Sequence, residues 1–162
     1  MAGNTVNANQ LLLNYEYKLQ ITVPDSDGLV KPQTIARGFD NISEALNEVL
    51  YQSNFLSDSG WGSSYVTGGQ LTFTLTGVRV KGDPAQDYIF SDKVYFGFGS
   101  ARDVQLLVTI PDNDPEDSSS RPTMLTCDAT LAKITRSGGA ANQPSAISVE
   151  IHINGKPEIT QS

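Results

Sequence analysis

The chain has 162 residues, of which 38% are hydrophobic, and a formal net charge of −7. This length supplies one hydrophobic core but hardly two, so we expect a single domain over residues 1–162. The acidic balance argues against a nucleic-acid-binding protein, which needs patches of Lys and Arg to neutralise phosphates. The single cysteine, Cys127, excludes an internal disulfide and is interpreted as a small buried hydrophobe.

The first 13 residues are small and polar until they reach the apolar run Leu11, Leu12 and Leu13. We expect residues 1–13 to form a flexible arm that becomes ordered against a neighbouring subunit. Three leucines are far too few to cross a bilayer, and no signal-type segment precedes them. The sequence therefore predicts a protein made in the cytoplasm with no membrane partner.

Two strands and a helix are predicted next. Apolar and polar residues alternate over residues 15–23, which indicates a strand with one buried face, and a further strand is expected at residues 34–39. Asn41 and Glu44 then form a capping-box pattern, and apolar residues follow at helical spacing. We therefore predict one α-helix from Asn41 to about Gln52 that packs on a sheet.

Residues 53–69 are rich in Ser and Gly and carry three aromatic residues, Phe55, Trp61 and Tyr65. We predict a long loop here, and such loops are often functional. Exposed aromatic side chains would suit a contact with another protein subunit. The alternative is that Trp61 simply packs back onto the core.

The remaining sequence predicts mainly strands. Residues 71–80, 104–110, 123–135 and 147–153 all read as strands, and residues 94–98 form a further apolar stretch. Asn154 and Gly155 then give a strong turn signal. The fold class predicted is mainly β (α+β), a β-sandwich or partly open barrel with one α-helix, long loops and arms.

The sequence offers little chemistry. His152 is the only histidine and has Glu150 two residues before it, without the further ligands that a metal site needs. The acidic loop that begins at Asp112 has alternating carboxylates but lacks the Gly and Glu of a calcium-binding hand. We therefore predict no cofactor, no metal and no enzymatic activity.

Residues 69–90 resemble the major tail tube proteins of long, non-contractile-tailed phages and related phage-derived particles. The positions that match a recurrent motif of that family are Phe73, Gly77, Arg79, Gly82, Asp83, Ala85, Gln86, Asp87 and Ile89. Residues 132–137 are also similar, and residues 147–158, with Asn154 and Gly155, resemble the closing strand and its turn. Loop 53–69 departs from the family pattern, because it is longer and more aromatic.

The resemblance implies a virion protein that assembles into stacked hexameric rings around a channel for DNA, without binding that DNA specifically. It also implies tape-measure and tail-terminator or tail-tip partners and a place in the virion tail. Acidic strand residues that would suit the channel are Glu16, Asp128 and Glu150. Candidate contacts between subunits are Leu11, Leu12, Leu13, Phe55, Trp61 and Tyr65.

For the motif residues Asp83, Gln86 and Asp87, a role in holding the fold is expected first and a contact between subunits second. In particular, a Gly-Asp-Pro sequence suits a turn in which the Asp side chain bonds to the backbone. Two other functions fit the pattern. One is the tube protein of a contractile injection or secretion system. The other is a carbohydrate-binding virion β-sandwich, in which Trp61 and Tyr65 would stack on sugars.

Overall fold

The structure is a computed structural model and describes residues 12–24, 27–111 and 123–161. These ranges contain nine strands and two short α-helices. The strands are β1 (Lys18–Pro24), β2 (Val30–Ile35), β3 (Phe39–Ala45), β4 (Val49–Ser53), β5 (Ser63–Gly68), β6 (Thr72–Val78), β7 (Asp103–Ile110), β8 (Thr123–Thr135) and β9 (Ala146–Gln161), and the helices are α1 (Pro84–Ile89) and α2 (Asp92–Tyr95). Single 3-10 turns occupy Asn14–Glu16, Leu56–Asp58 and Gly99–Arg102.

Seven of the strands form one antiparallel sheet in the order β2-β1-β7-β8-β9-β6-β3, which curls into a half-barrel. Strands β4 and β5 form a separate two-stranded hairpin. Strands β2 and β3 lie at the two edges of the sheet, so each has a neighbouring strand on one side only within the described residues. The predicted mainly β fold, in the form of a partly open barrel, is confirmed.

One face of the sheet carries the hydrophobic core. Because side chains alternate between the faces of a strand, every second residue of the central strands is buried. The buried core residues of the sheet are Leu19, Ile21, Ile35, Leu71, Phe73, Leu75, Val104, Leu106, Val108, Leu125, Cys127, Ala129, Leu131, Ile134, Ile147, Val149, Ile151 and Ile153. Four apolar residues of α1, α2 and their connection, namely Ala85, Ile89, Phe90 and Val94, complete this core.

The helix predicted from Asn41 to Gln52 is wrong. Residues Phe39–Ala45 form the edge strand β3, and Val49–Ser53 form β4. Of the apolar residues at helical spacing, Ile42 lies opposite Leu75 in the β3–β6 pair and packs on the core. The others do not share its face, since Leu46, Val49 and Leu50 are all more than half exposed. Helical periodicity is therefore present in the sequence without the single buried face that would stabilise a helix.

The loop predicted over residues 53–69 is wrong in part, because Ser63–Gly68 form β5 and pair with β4. The predicted turn at Asn154 and Gly155 does not end a strand either. β9 continues to Gln161, and the register with β8 shifts between the pairs Asp128–Asn154 and Thr126–Glu158. This shift is a β-bulge, which uses the positive φ of Gly155 (78°).

The apolar stretch 94–98 contains the end of α2 and is not a strand. Glu16, interpreted above as a strand residue, lies in a 3-10 turn in which its side chain accepts a hydrogen bond from the Leu13 N–H (3.1 Å). Residues 1–11, which include Leu11 and most of the predicted arm, lie outside the described residues. The same is true of the acidic loop over residues 112–122.

Candidate assembly surfaces

The connection between β6 and α1 holds most of the motif residues in one hydrogen-bonded cluster. Asp83 is the N-cap of α1, and its carboxylate accepts a hydrogen bond from the Gln86 N–H (3.2 Å). The Asp87 carboxylate accepts from the Arg79 guanidinium (2.8 Å) and the Gly82 N–H (3.3 Å). Because these bonds fix the turn before the helix, they support a fold-holding role for the motif.

The fully buried side chain of Gln86 links three segments of the chain. Its Oε1 accepts from the Val80 N–H (2.8 Å) and from the Arg79 guanidinium (3.3 Å). Its Nε2 donates to the carbonyls of Arg37 (2.7 Å) and Val78 (3.1 Å). The amide therefore joins α1 to the end of β6 and to the turn before β3, and it uses both its donor and its acceptor capacity.

Gly77 is needed because the backbones of β6 and of the segment before β3 lie close together there. A Cβ atom at Gly77 would collide with the Gly38 carbonyl and would lie 2.6 Å from the Phe39 Cα. Between Phe39 and Asn41 the register of the pair shifts. The sequence motif thus marks a place where two backbones approach each other closely.

The sheet face opposite the core is mostly polar, and all seven strands contribute to it. The strand pairings place one residue of each strand on this face, in order from β2 to β3: Thr34, Gln20, Gln105, Asp128, Glu150, Thr74 and Ser43. Two of the three acidic residues that the sequence suggested for a channel, Asp128 and Glu150, are therefore on the same face. The third, Glu16, lies outside the sheet.

Glu150 lies at the centre of a small charged group on this polar face. Its carboxylate contacts the Lys133 ammonium (3.5 Å) and the His152 Nε2 (3.2 Å). Lys133 is 74% exposed and contributes little stability through such a pair. His152 is half-buried beside Glu150, and within the described residues no group of three or more His, Cys, Asp or Glu side chains could hold a metal.

The β4–β5 hairpin presents an apolar surface outside the core. The three aromatic residues of the predicted loop are exposed by 45% (Phe55), 79% (Trp61) and 50% (Tyr65). Further exposed apolar residues of the hairpin, which pattern analysis placed on a helix or missed, are Leu46, Val49, Leu50, Tyr51, Leu56 and Val66. A group of exposed apolar side chains on one hairpin is typical of a surface that binds another protein.

Two other predicted contact residues, Leu12 and Leu13, are 43% and 44% exposed. They precede the 3-10 turn at Asn14–Glu16 and contribute nothing to the buried core. The predicted packing of Trp61 back onto the core is not observed, since that side chain is largely exposed.

The described residues offer no constellation that resembles a catalytic site. Burial, reinforced by the neighbouring Asp128 carboxylate, raises the pKa of the Cys127 thiol to about 11, which keeps it protonated and unreactive. None of the helices in the described ranges is long and apolar enough to cross a membrane. The features that stand out are therefore surfaces: a polar sheet face, two sheet edges and an apolar hairpin.

The structure is similar to chains of solved tail and tube assemblies. A chain from the tail of an empty gene transfer agent particle with C6 symmetry matches with a TM-score of 0.66 and 16% identity, covering 93% of this chain and 99% of that one. A chain of the SPP1 tail tube matches with a TM-score of 0.58 and 12% identity, covering 94% and 80%. A chain of the sheath-tube complex of an extracellular contractile injection system, PVC, matches with a TM-score of 0.53 and 10% identity, covering 100% and 99%.

No protein-family model and no curated protein matches the sequence. At identities this low, the structural likeness establishes the fold. The chain has the fold found in these tail and tube assemblies, as its motif resemblance implied.

Proposed function

We propose that this chain is a tube subunit, and that copies of it form hexameric rings which stack into a hollow virion tail. The observation that carries the proposal is the curled seven-stranded sheet, which has an apolar face closed by helices and an opposite face that is mostly polar. A sheet with one polar face is what a ring of subunits needs to line an aqueous channel. The six-fold symmetry is that of the similar gene transfer agent tail.

The two edges of the sheet support ring closure. An edge strand exposes backbone groups that can pair with another chain, which is an aggregation hazard in a free monomer. Pairing of the β3 edge of one copy with the β2 edge of the next is a head-to-tail contact, and such contacts close into a ring when the rotation fits. In the closed ring no sheet edge remains exposed.

The apolar hairpin and the N-terminal segment supply contacts of a second kind. Phe55, Trp61 and Tyr65 stand outside the core of their own subunit and would be buried against another copy. Leu12 and Leu13, with Leu11, would anchor the N-terminal arm on a neighbour. Rings with such contacts on their faces stack into a tube.

The polar face would line the channel. Asp128 and Glu150 recur in every copy, so a ring of six repeats each carboxylate six times around the lumen. A negatively charged wall repels the phosphates of DNA, which lets the DNA slide without binding specifically. The protein then acts as a structural component and not as an enzyme, with tape-measure and tail-terminator or tail-tip proteins as further partners.

The likeness to the contractile sheath-tube complex favours a second candidate, the tube of a contractile injection system. Both candidates share the ring, the channel and the stacking contacts. They differ in the outer surface, because a contractile tube is enclosed by a sheath. Co-purification of the assembled tube with a sheath protein in its source cells would distinguish them.

Negative-stain electron microscopy of the purified protein, fresh and after concentration, tests the proposal. We expect six-fold rings or hollow filaments. Specific binding of a glycan by a protein that stays monomeric would contradict the tube and favour a carbohydrate-binding virion protein.

The channel assignment has its own test. Tubes of the variant Asp128→Lys should retain short double-stranded DNA at low salt, whereas wild-type tubes exclude it. Tubes of the variant Asp92→Lys, which makes the same charge change on α2 at the opposite side of the sheet, should behave like the wild type. Retention of DNA by Asp92→Lys tubes but not by Asp128→Lys tubes would contradict the assignment, because the channel would then lie on the α2 side of the sheet.

A further inference from the structure

A second exposed aromatic surface lies on the connection between α2 and β7. Phe96 is 62% exposed and Phe98 is 90% exposed. We call the surface formed by Tyr95, Phe96, Phe98, Arg102 and Arg136 the aromatic platform. Phe96 and Phe98 belong to the apolar stretch 94–98, for which the sequence predicts no role.

Hydrogen bonds fix the backbone beneath the aromatic platform, while the rings of Phe96 and Phe98 are exposed. The Arg102 guanidinium donates to the carbonyls of Tyr95 (2.7 Å), Gly97 (3.1 Å) and Leu131 (3.4 Å). The Arg136 guanidinium stacks 4.1 Å from the Tyr95 ring centroid and 5.2 Å from that of Phe96. A surface ordered before binding loses less conformational entropy on association. Exposed aromatic rings on such a backbone are therefore suited to a specific contact.

The aromatic platform and the β4–β5 hairpin lie at opposite ends of the strands. Thr135 pairs with Ser148, Ser148 with Thr76, and Thr76 with Asn41, so these four residues mark one end of the sheet. Arg136 of the platform follows Thr135 at this end. β3 runs away from this end, and the hairpin begins after its last residue. Two different surfaces at opposite ends of one molecule are the arrangement that a head-to-tail stack requires.

The two surfaces also differ in charge. Residues 46–70 of the hairpin contain two acidic residues, Glu48 and Asp58, and neither Lys nor Arg. The platform and its helix α2 bring together three cations, Lys93, Arg102 and Arg136, with the acidic residues Asp92 and Asp103 beside them. In a chain with a net charge of −7, this is a local excess of positive charge beside exposed aromatic rings. It complements an acidic hairpin that carries a Trp and two Tyr residues.

We propose that the aromatic platform of one copy receives the β4–β5 hairpin of a copy in the adjacent ring. The inference rests on the proposed tube, and it adds which surface the hairpin binds. Trp61 and Phe55 pack on Phe96 and Phe98, and the Arg136 guanidinium lies close to the arriving aromatic rings. The contact gives the tube a direction, because one end of each ring exposes only hairpins and the other end only platforms.

Photo-cross-linking of assembled tubes tests the contact directly. Trp61 is replaced by p-benzoyl-phenylalanine, and the irradiated tubes are digested with trypsin. Cleavage after Lys93 and Arg102 releases residues 94–102 as one peptide, which carries both exposed phenylalanines. We expect this peptide to be the main cross-linked partner. The same probe at Leu29, an apolar residue on the β1–β2 connection that is 62% exposed, should not capture it.

Tubes in which the probe at Trp61 captures only other peptides would overturn the platform as the receiving surface and leave the tube itself standing. A protein that gives neither tubes nor cross-linked dimers at high concentration would overturn both proposals.

A pair of variants measures the strength of the contact. Phe98→Ser should raise the protein concentration needed for tube formation at least tenfold, since the loss of a central aromatic contact costs about 1.4 kcal/mol or more. Because the Phe98 side chain is 90% exposed, the thermal unfolding midpoint of the monomeric Phe98→Ser variant should equal that of the wild type. Leu29→Ser should change the required concentration less than about twofold. Equal effects of the two variants on assembly would contradict the proposal.

Discussion

Replacement of Gln86 by Leu should destabilise the monomer strongly. Leu fills nearly the same space but leaves the Val80 N–H and the carbonyls of Arg37 and Val78 without the partner that they have now. Each unsatisfied backbone group in a buried or half-buried place costs about 1–3 kcal/mol. Because the Arg37 and Val78 carbonyls lie near the surface, we take the lower value for each group and expect a loss of about 3 kcal/mol.

Urea unfolding followed by circular dichroism measures this loss. With a denaturant slope of about 2 kcal/mol/M, the unfolding midpoint should fall by about 1.5 M. Gln52→Leu makes the same substitution on the exposed strand β4 and should change the free energy of unfolding by less than about 0.5 kcal/mol. If Gln86→Leu were as stable as Gln52→Leu, the buried amide would not hold the connection between β6 and α1, and the fold-holding role of the motif would fail.

Three further predictions concern the core and its turns. Gly77→Ala should lower the thermal unfolding midpoint, because the added Cβ collides with the Gly38 carbonyl and destabilises the fold by about 1–3 kcal/mol. Gly68→Ala is the control, since no atom lies within 4 Å of the Cβ added there. Asp83→Ala removes the N-cap of α1 and should cost about 1 kcal/mol in urea unfolding. Cys127, with its pKa raised to about 11, should react with iodoacetamide at pH 8 about a hundredfold more slowly than in urea-unfolded protein, and equal rates would contradict its burial. Because this folded pKa is above the unfolded value of 9.0, its stabilising contribution is complete below pH 9 and is lost as the pH rises towards 11.

The central strands of the main sheet were largely predictable, since one of their faces is buried within the same chain. The edge strands were not, because the strand predicted at residues 34–39 spans the turn between β2 (Val30–Ile35) and β3 (Phe39–Ala45). Alternation located β8 at Thr123–Thr135, as observed, and placed β6, β7 and the first half of β9 close to their positions. In each of them the inward residues contact the core, so hydrophobic periodicity and burial agree. This agreement is what a period-two pattern assumes.

The hairpin was not predictable for the opposite reason. Leu46, Val49 and Leu50 are apolar but exposed, so their spacing reports no buried face within the subunit. The apolar residues were therefore expected to pack on the sheet of their own subunit, and the fold provides no such contact for them. Asn47, two residues after the end of β3, has a positive φ of 48°, which hydrophobic periodicity does not predict.

The candidate surfaces were predictable only in part. Phe55, Trp61 and Tyr65 stood out as aromatics in a Ser- and Gly-rich segment, and their exposure agrees with a contact role. Phe96 and Phe98 did not stand out, because an apolar run does not show which of its residues are buried. Only their exposure in the structure, 62% and 90%, distinguishes these rings from core residues.

The strand order also determines how the chain reaches its fold. β7, β8 and β9 pair with their neighbours in sequence. In contrast, β1 pairs with β7 and β6 pairs with β9, and in each case the partner strand lies more than 60 residues further along the chain. Distant pairings of this kind slow folding to the range of about milliseconds to seconds. We expect stopped-flow refolding to show the β7–β8–β9 meander protected from hydrogen exchange first and both outer strands last. Newly made subunits would thus complete the edges that join neighbours within a ring only after the rest of the sheet has formed, which limits premature association during synthesis.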